Sequence, residues 1–488
     1  MKFEFLRKKY PRFIYQNYSW KISGKNLEIF FDFKISPGIR FRPRVVIKNI
    51  DKKQGLKVGE RALDNLVFNL GLMEIPSYWK ATCSPEIKIN CGYLNKEQIS
   101  WWKDLIIRGM GQFFFENKIN FKTPSFLKIN AGSKNRVDAI ENPVSKNPAA
   151  AGFFDILKYV KNREIGVLLP LGGGKDSVVT LELLKRAKKN IRCFSLNPTD
   201  SAKKIMKAAN CRNPIIAERK IDKKLLELNR RGYLNGHTPF SAYLAFLSVL
   251  IAALSNQKYI ALSNERSSNE GNVKYLGKII NHQWSKSFEF EQKFRRYSKK
   301  YLAPHPKNGA GVEYFSFLRP LYEIQIAKIF SRFAKYFPGF LSCNEAYKTT
   351  SGTKKPTKKW CGKCSKCLFV FAILYPFVEE RTLMKIFGKN LFTDAKLLPI
   401  MQQLTGERGF KPFECVGTRK ESSAAFYLSW KKRGEQFSAK LPILLRYFEE
   451  KILPKYPNLK ENSKKILDVW NKQNNLPKEY ESYINQNL

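Results

Sequence analysis

Acidic side chains are scarce in this 488-residue chain: 41 Asp and Glu stand against 88 Lys and Arg, for a formal net charge of +47. Such a balance invites a nucleic-acid partner. The excess, however, is mostly lysine spread along the whole sequence beside abundant Asn, Ile, Phe and Tyr, as an AT-rich coding bias gives, so no nucleic-acid partner is read from it. The charge still draws anionic small molecules such as nucleotides. Long apolar runs are missing too. The longest uncharged apolar stretch, Phe240 to Leu254, is shorter than the roughly 20 residues that span a bilayer. The opening Met-Lys-Phe-Glu-Phe-Leu-Arg-Lys-Lys-Tyr carries charges where a signal peptide needs a continuous apolar core, so a cytoplasmic protein without membrane association is expected. Internal repeats and low-complexity tracts are not evident, and the oligomeric state is not legible.

Histidine is rarer still, with three in the chain. Two occupy polar stretches unlike the lysine-rich background, Asn235-Gly-His237-Thr-Pro239 and Asn281-His282-Gln-Trp-Ser-Lys286. The nine cysteines do not form a disulfide framework, because four have ligand spacing: Cys343, then 18 residues later Cys361-Gly-Lys-Cys364-Ser-Lys-Cys367. Four thiolates at these gaps predict a closed, structural zinc site, with an iron–sulfur cluster as the alternative.

The stretch around which the chain is organised is Ile165-Gly-Val-Leu-Leu-Pro-Leu-Gly-Gly-Gly-Lys-Asp-Ser177. A short apolar run, three glycines and an amphipathic segment, Val178 to Lys188, read as strand, tight loop and helix. Amide N–H groups and the positive end of the helix dipole converge on one small volume that suits a phosphate. Gly172, Gly173 and Gly174 form the cradle, Lys175 and Ser177 supply a charge and a hydroxyl, and Asp176 caps the helix or holds a magnesium-bound polyphosphate.

Residues 10 to 50 alternate apolar and polar and predict antiparallel strands, followed by helices at Gly59–Leu72 and Asn95–Arg108. Between these helices lies Ser77-Tyr-Trp-Lys80-Ala-Thr-Cys83-Ser-Pro, read either as a core strand leaving through a turn or as part of a site. From Asp155 the pattern becomes strand–helix–strand, with strands at Ile191–Leu196, Pro214–Ala217 and Lys258–Leu262 and helices at Ala202–Ala209, Lys223–Arg230 and Phe240–Leu254. The predicted class is α/β, a doubly wound parallel sheet whose ligands lie beyond the carboxyl ends of its strands. Ser195 and the polar run from Asn264 and Glu265 onward fall at such ends, the latter as a contact for substrate, magnesium or ribose. The predicted division is an α+β domain over 1–130, a turn-rich linker over 131–150, the nucleotide-binding domain over 151–342, the cysteine knuckle with a substrate region over 343–430, and a helical tail over 431–488.

The glycine stretch resembles the PP-loop of ATP pyrophosphatases, Ser-Gly-Gly-x-Asp-Ser, with Gly172 in place of the first serine. Together with the cysteine knuckle it is similar to the 7-cyano-7-deazaguanine synthases. Six segments together resemble a closer family, the UDP-N-acetylmuramoyl-L-alanyl-L-glutamate epimerases. They are Ser77–Pro85, Gly172–Ser177, Asn281–Glu291, Leu318-Arg319-Pro-Leu-Tyr-Glu323, the knuckle, and Lys411-Pro-Phe-Glu414-Cys415-Val-Gly-Thr418. The resemblance implies an ATP- and magnesium-dependent enzyme of peptidoglycan precursor synthesis. It would invert the terminal L-glutamate of a UDP-muramoyl dipeptide through an acyl-adenylate and release AMP and diphosphate. Candidate proton carriers beside Asp176 are Cys83, Cys415, His237 and His282, with Glu414 a further possible base. Lys80, Lys286 and Arg319 are expected to anchor carboxylate or phosphate. A nucleobase- or tRNA-modifying adenylating enzyme is the alternative, and a non-catalytic RNA-binding protein the reading outside enzymes.

Overall fold

Alternation in the first fifty residues makes a strongly apolar meander. In the computed structural model, which describes residues 2–50, 58–132, 164–302, 311–436 and 441–488, β1 (Arg12–Ser23) pairs antiparallel with β2 (Asn26–Ser36). Their inward residues, among them Phe13, Tyr15, Ile29, Phe31 and Phe33, are buried. β3 (Ile39–Phe41) and β4 (Arg44–Lys48) both pair antiparallel with β2. On the far side of β1, β5 (Glu86–Ile89) and β6 (Lys128–Ala131) continue the sheet in parallel.

The strand–helix alternation after the glycine loop builds a parallel block. β7 (Glu164–Pro170), β8 (Asn190–Leu196), β9 (Ile215–Lys220), β10 (Gln257–Leu262) and β13 (Glu313–Ser316) stand in the order β13-β10-β7-β8-β9. Successive residues of β7 enter different cores, Leu168 on one face and Val167 and Leu169 on the other, so helices cover both sides. Chain order reverses at β7, between β8 and β10, which opens a crevice at the carboxyl end of that strand. The helix Phe240–Leu254, apolar all round, is buried against β10 and the helix Glu60–Trp79.

Two features depart from the sequence expectation. The sheet does not stop between the amino-terminal strands and the parallel block: β4 pairs antiparallel with β9, from Arg44 opposite Lys220 to Lys48 opposite Ile216, and one eleven-stranded sheet results. The helix expected to end at Leu72 runs on through Pro76 to Trp79, so Ser77, Tyr78 and Trp79 are helical and the strand begins only at Glu86. Proline is tolerated there because the residues around it are nearly all buried, and packing outweighs one missing helical hydrogen bond. Of the expected linker, residues 133–150 lie outside the described residues.

A small hairpin of β11 (Val273–Tyr275) and β12 (Lys278–Ile280) stands apart from the main sheet. Beyond residue 343, helices including Ser365–Leu374, Arg419–Gln436 and Leu459–Asp468 pack on one another and on the second core. Among the described residues, no helix is long and apolar enough to cross a membrane.

Candidate active site

β7 delivers the glycine loop to the crevice. Gly173 has φ +90°, and a Cβ there would meet Ser201 Oγ at 2.6 Å and the Ala202 nitrogen at 2.7 Å, so only glycine lets the loop pass so close to its neighbour. Its carbonyl accepts hydrogen bonds from Ser201 Oγ (2.7 Å) and Leu341 N (3.0 Å), while Ser195 Oγ donates to the Leu171 carbonyl (2.8 Å). Gly172 is exposed, and a Cβ added there would touch nothing within 4 Å, leaving room for the serine usual in the PP-loop. Gly174 caps the helix Lys175–Arg186 without a side-chain bond, which leaves first-turn N–H groups for an anion.

Three carboxylates meet beside the loop. Oxygens of Asp176, Glu265 and Glu323 lie within 4.8 Å of one another. An all-carboxylate cluster of this size fits a hard divalent cation such as magnesium. The Lys175 ammonium is buried between Glu323 and Asp176 and hydrogen-bonds both. Burial opposes its charge, but the two carboxylates outweigh burial and hold it protonated. Burial also opposes ionisation of Glu323, and Lys175 and Lys366 reverse this, pulling the carboxyl down. Glu265 moves the other way, to about 7, because burial and the charges of Glu323 and Asp176 exceed the help of Lys286 and Arg319.

Lys286 joins this half of the site to a second half. Its ammonium is kept protonated against burial by Cys415, Glu265, Asp176 and Glu323, and it lies 3.5 Å from Cys415 Sγ. On the other side of the thiol, His282 Nε2 is 3.9 Å away. The rings of His282 and His237 pack with centroids 4.6 Å apart. Burial, then Lys286, lowers His282 to about 4, and burial, then His282 and Lys80, lowers His237 to about 3, so both rings are neutral near pH 7. Lys80 donates to the Gly236 carbonyl (3.0 Å) and is itself lowered to about 8, first by burial and then by Arg219. The two polar histidine loops and the Cys415 segment therefore converge, and Asn272 ties them: its Oδ1 accepts from His282 N (2.8 Å) and its Nδ2 donates to the Pro412 carbonyl (2.7 Å).

Two further candidates are enclosed by protein. Cys83 is sealed in the amino-terminal core with φ 53°, its carbonyl accepting from Arg7, and burial pushes its thiol up. Arg319 is fully enclosed and spends its guanidinium on Glu291, Ser268, Ser316 and the carbonyls of Glu265 and Lys286. It thereby holds two site segments in place. Asn264, buried beside them, donates to Ser316 Oγ (3.1 Å).

Several residues of the site were not singled out from sequence. Glu323 closes the carboxylate cluster and begins the helix Glu323–Phe330. Glu421, also buried and raised to about 7 by burial, accepts from the backbone of Glu323 and Thr418. Lys366 lies 3.5 Å from Glu323 and bonds the Cys415 carbonyl. Glu323 sat within a quoted motif; Lys366 lay hidden inside the knuckle.

Cys343, Cys361, Cys364 and Cys367 converge at the start of the helix Ser365–Leu374, which carries both Lys366 and Cys367. All four sulfurs lie within 4.8 Å of one another, with Cys343–Cys364 at 3.8 Å and Cys361–Cys367 and Cys364–Cys367 at 3.6 Å. A tetrahedral ion with metal–sulfur bonds of about 2.3 Å sets sulfurs about 3.8 Å apart, so the four thiols fit zinc as they stand.

The MurL N-terminal domain family matches residues 4–317 and the MurL C-terminal domain family residues 339–452. Three similar relatives are each named UDP-N-acetyl-alpha-D-muramoyl-L-alanyl-L-glutamate epimerase. The protein from a Micromonospora species is 39% identical over 57% of this chain and 60% of its own length. That from Xanthomonas oryzae pv. oryzae is 33% identical over 72% and 71%, and that from Salinispora tropica 37% identical over 55% and 56%. The chain thus spans about three-fifths of the length of the first of these relatives. No solved structure matches significantly. With both domain families matched across the loop, the histidine segments and the cysteine knuckle, the chain belongs to the MurL family.

Proposed function

We propose that this protein inverts the terminal L-glutamate of UDP-MurNAc-L-Ala-L-Glu to D-glutamate, with cleavage of ATP to AMP and diphosphate, in the cytoplasm. The observation that carries the reading is the position of Lys286, which faces the carboxylates beside the glycine loop and also touches Cys415. An adenylating half and a proton-transfer half thus share one cation.

An α-proton beside a free carboxylate is held tightly, since its loss would set two negative charges side by side. Adenylating the carboxylate removes one of them. The loop amides and the start of the helix Lys175–Arg186 bind the phosphates, and Lys175 stays charged for them through Glu323. Asp176, Glu265 and Glu323 would hold magnesium, which when bound offsets charge on the diphosphate leaving group. The substrate carboxylate attacks the α-phosphorus, diphosphate departs, and the acyl-adenylate lies next to Lys286.

Cys415, with His282 to take its proton, removes the α-hydrogen from one face, and a proton returned to the opposite face of the enolate completes the inversion; His237, packed on the His282 ring, stays neutral and supports that ring. Lys286 stabilises charge on the thiolate and on the enolate oxygen. Water then releases AMP. Lys80, close to His237, anchors an anionic group of the substrate. Zinc at the four cysteines is structural, fixing the start of the helix that places Lys366 against Glu323 and Cys415. Release of AMP that requires the muramoyl dipeptide tests the reading; release that requires tRNA or a nucleobase instead would replace it.

A further inference from the structure

Gln112, in the short helix Gly111–Glu116, is buried and lies outside every motif quoted above. Its Nε2 donates to Glu116 Oε1 at 2.8 Å, and its Oε1 meets Nδ1 of His282. A carboxylate only accepts hydrogen bonds, so Glu116 decides which end of the amide faces it. Turning the amide over would set Oε1 against the carboxylate oxygen, two acceptors in contact. The carbonyl end therefore faces the histidine.

A carbonyl oxygen can bond Nδ1 only if that nitrogen carries the proton. The His282 ring is neutral, because burial and then Lys286, with Lys411 adding, act against a second proton and outweigh the opposing pull of Glu116. Its single proton is then on Nδ1, and Nε2 has a free lone pair. That nitrogen is the one 3.9 Å from Cys415 Sγ.

We propose that Gln112 is a positioning residue: held by Glu116, it fixes the Nδ1–H tautomer of His282, so that Nε2 meets the Cys415 thiol as a base. The proton moves from Sγ to Nε2, leaving a thiolate beside Lys286 and an imidazolium whose Nδ1–H bond to Gln112 is retained. The opposite tautomer would present a donor to the thiol and block this transfer. The role assigned to the pair in catalysis rests on the epimerase reading; the tautomer does not.

Three histidines make the full-length chain readable by NMR. With 15N-histidine label, a long-range proton–nitrogen correlation reports which ring nitrogen is protonated, and His282→Asn identifies the signals by their loss. Wild-type protein is expected to show Nδ1–H at His282. Gln112→Leu should move protonation to Nε2 or to a mixture, and Glu116→Gln, which frees the Gln112 amide to turn over, should give a mixture of the two tautomers. Exchange of the substrate α-proton should fall on the order of 100-fold in Gln112→Leu and by less in Glu116→Gln. Protonation on Nε2 in the wild type, or an unchanged pattern in Gln112→Leu, overturns the proposal. If the leucine variant does not fold, the wild-type and Glu116→Gln spectra still decide it. A wild type with Nδ1–H but no exchange would refute the epimerase reading and leave the tautomer standing.

Discussion

The Lys286 ammonium lies 3.5 Å from Cys415 Sγ while the carboxylates of Asp176, Glu265 and Glu323 help keep it charged. Methionine has a similar length and no charge. Lys286→Met is therefore expected to lower α-proton exchange on the order of 100-fold, because thiolate and enolate lose their common counter-charge. Exchange at the wild-type rate would remove Lys286 from the chemistry.

Lys175 and Glu323 form an ion pair across 148 residues of sequence, and both side chains are 2% exposed. Removing Glu323 leaves the buried Lys175 ammonium with Asp176 alone as its close counter-charge. Glu323→Gln should cost a few kcal/mol, at most about 3, in denaturant unfolding as well as ATP cleavage. Asp176 is more open, its side chain 27% exposed. Asp176→Asn should abolish AMP release and leave the unfolding midpoint nearly unchanged; a large fall in stability would assign it a structural role.

Contiguous motifs were legible along the chain. The glycine loop, the two histidine loops, the knuckle and the Cys415 segment are short runs whose composition breaks from the lysine-rich background, and strand–helix alternation placed several of them at strand ends. What depends on distant pairing was not. Lys48 and Glu218 pair across 170 residues, and no local pattern announces that β4 will close against β9. Glu323 reaches the loop only because β13 lies beside β10. Cys83 and Arg319 have the residue types of a site, yet the first is turned into a core and the second spent on Glu291, two serine hydroxyls and two backbone carbonyls, outcomes set by packing.

The histidine pair gives a pH dependence of known sign. Burial, then Lys286, holds His282 at about 4, and burial, then His282 and Lys80, holds His237 at about 3, against an ordinary 6.5. The unfolded chain binds protons that the folded rings refuse, so their contribution is complete above pH 6.5 and is lost as pH falls towards 4 and below. Melting temperature should drop over this range in the wild type and drop less in His237→Asn/His282→Asn. Equal slopes would contradict neutral, buried rings.

Metal removal should act on the fold before it acts on the chemistry. The four knuckle sulfurs already lie within 4.8 Å of one another, so one zinc per chain is expected by elemental analysis. Cys364→Ser should lower the melting temperature and the zinc content together. Iron with visible absorption in the purified protein would point to a cluster instead.

The central claim is that an adenylated carboxyl group makes the glutamyl α-proton removable. Purified protein should be incubated with UDP-MurNAc-L-Ala-L-Glu, ATP and magnesium in deuterium oxide, and the product glutamate analysed for configuration and label. D-glutamate carrying α-deuterium, formed only when ATP is present and accompanied by AMP, is the predicted result. Inversion that proceeds equally well without ATP, or that leaves the α-position unlabelled, would contradict the account.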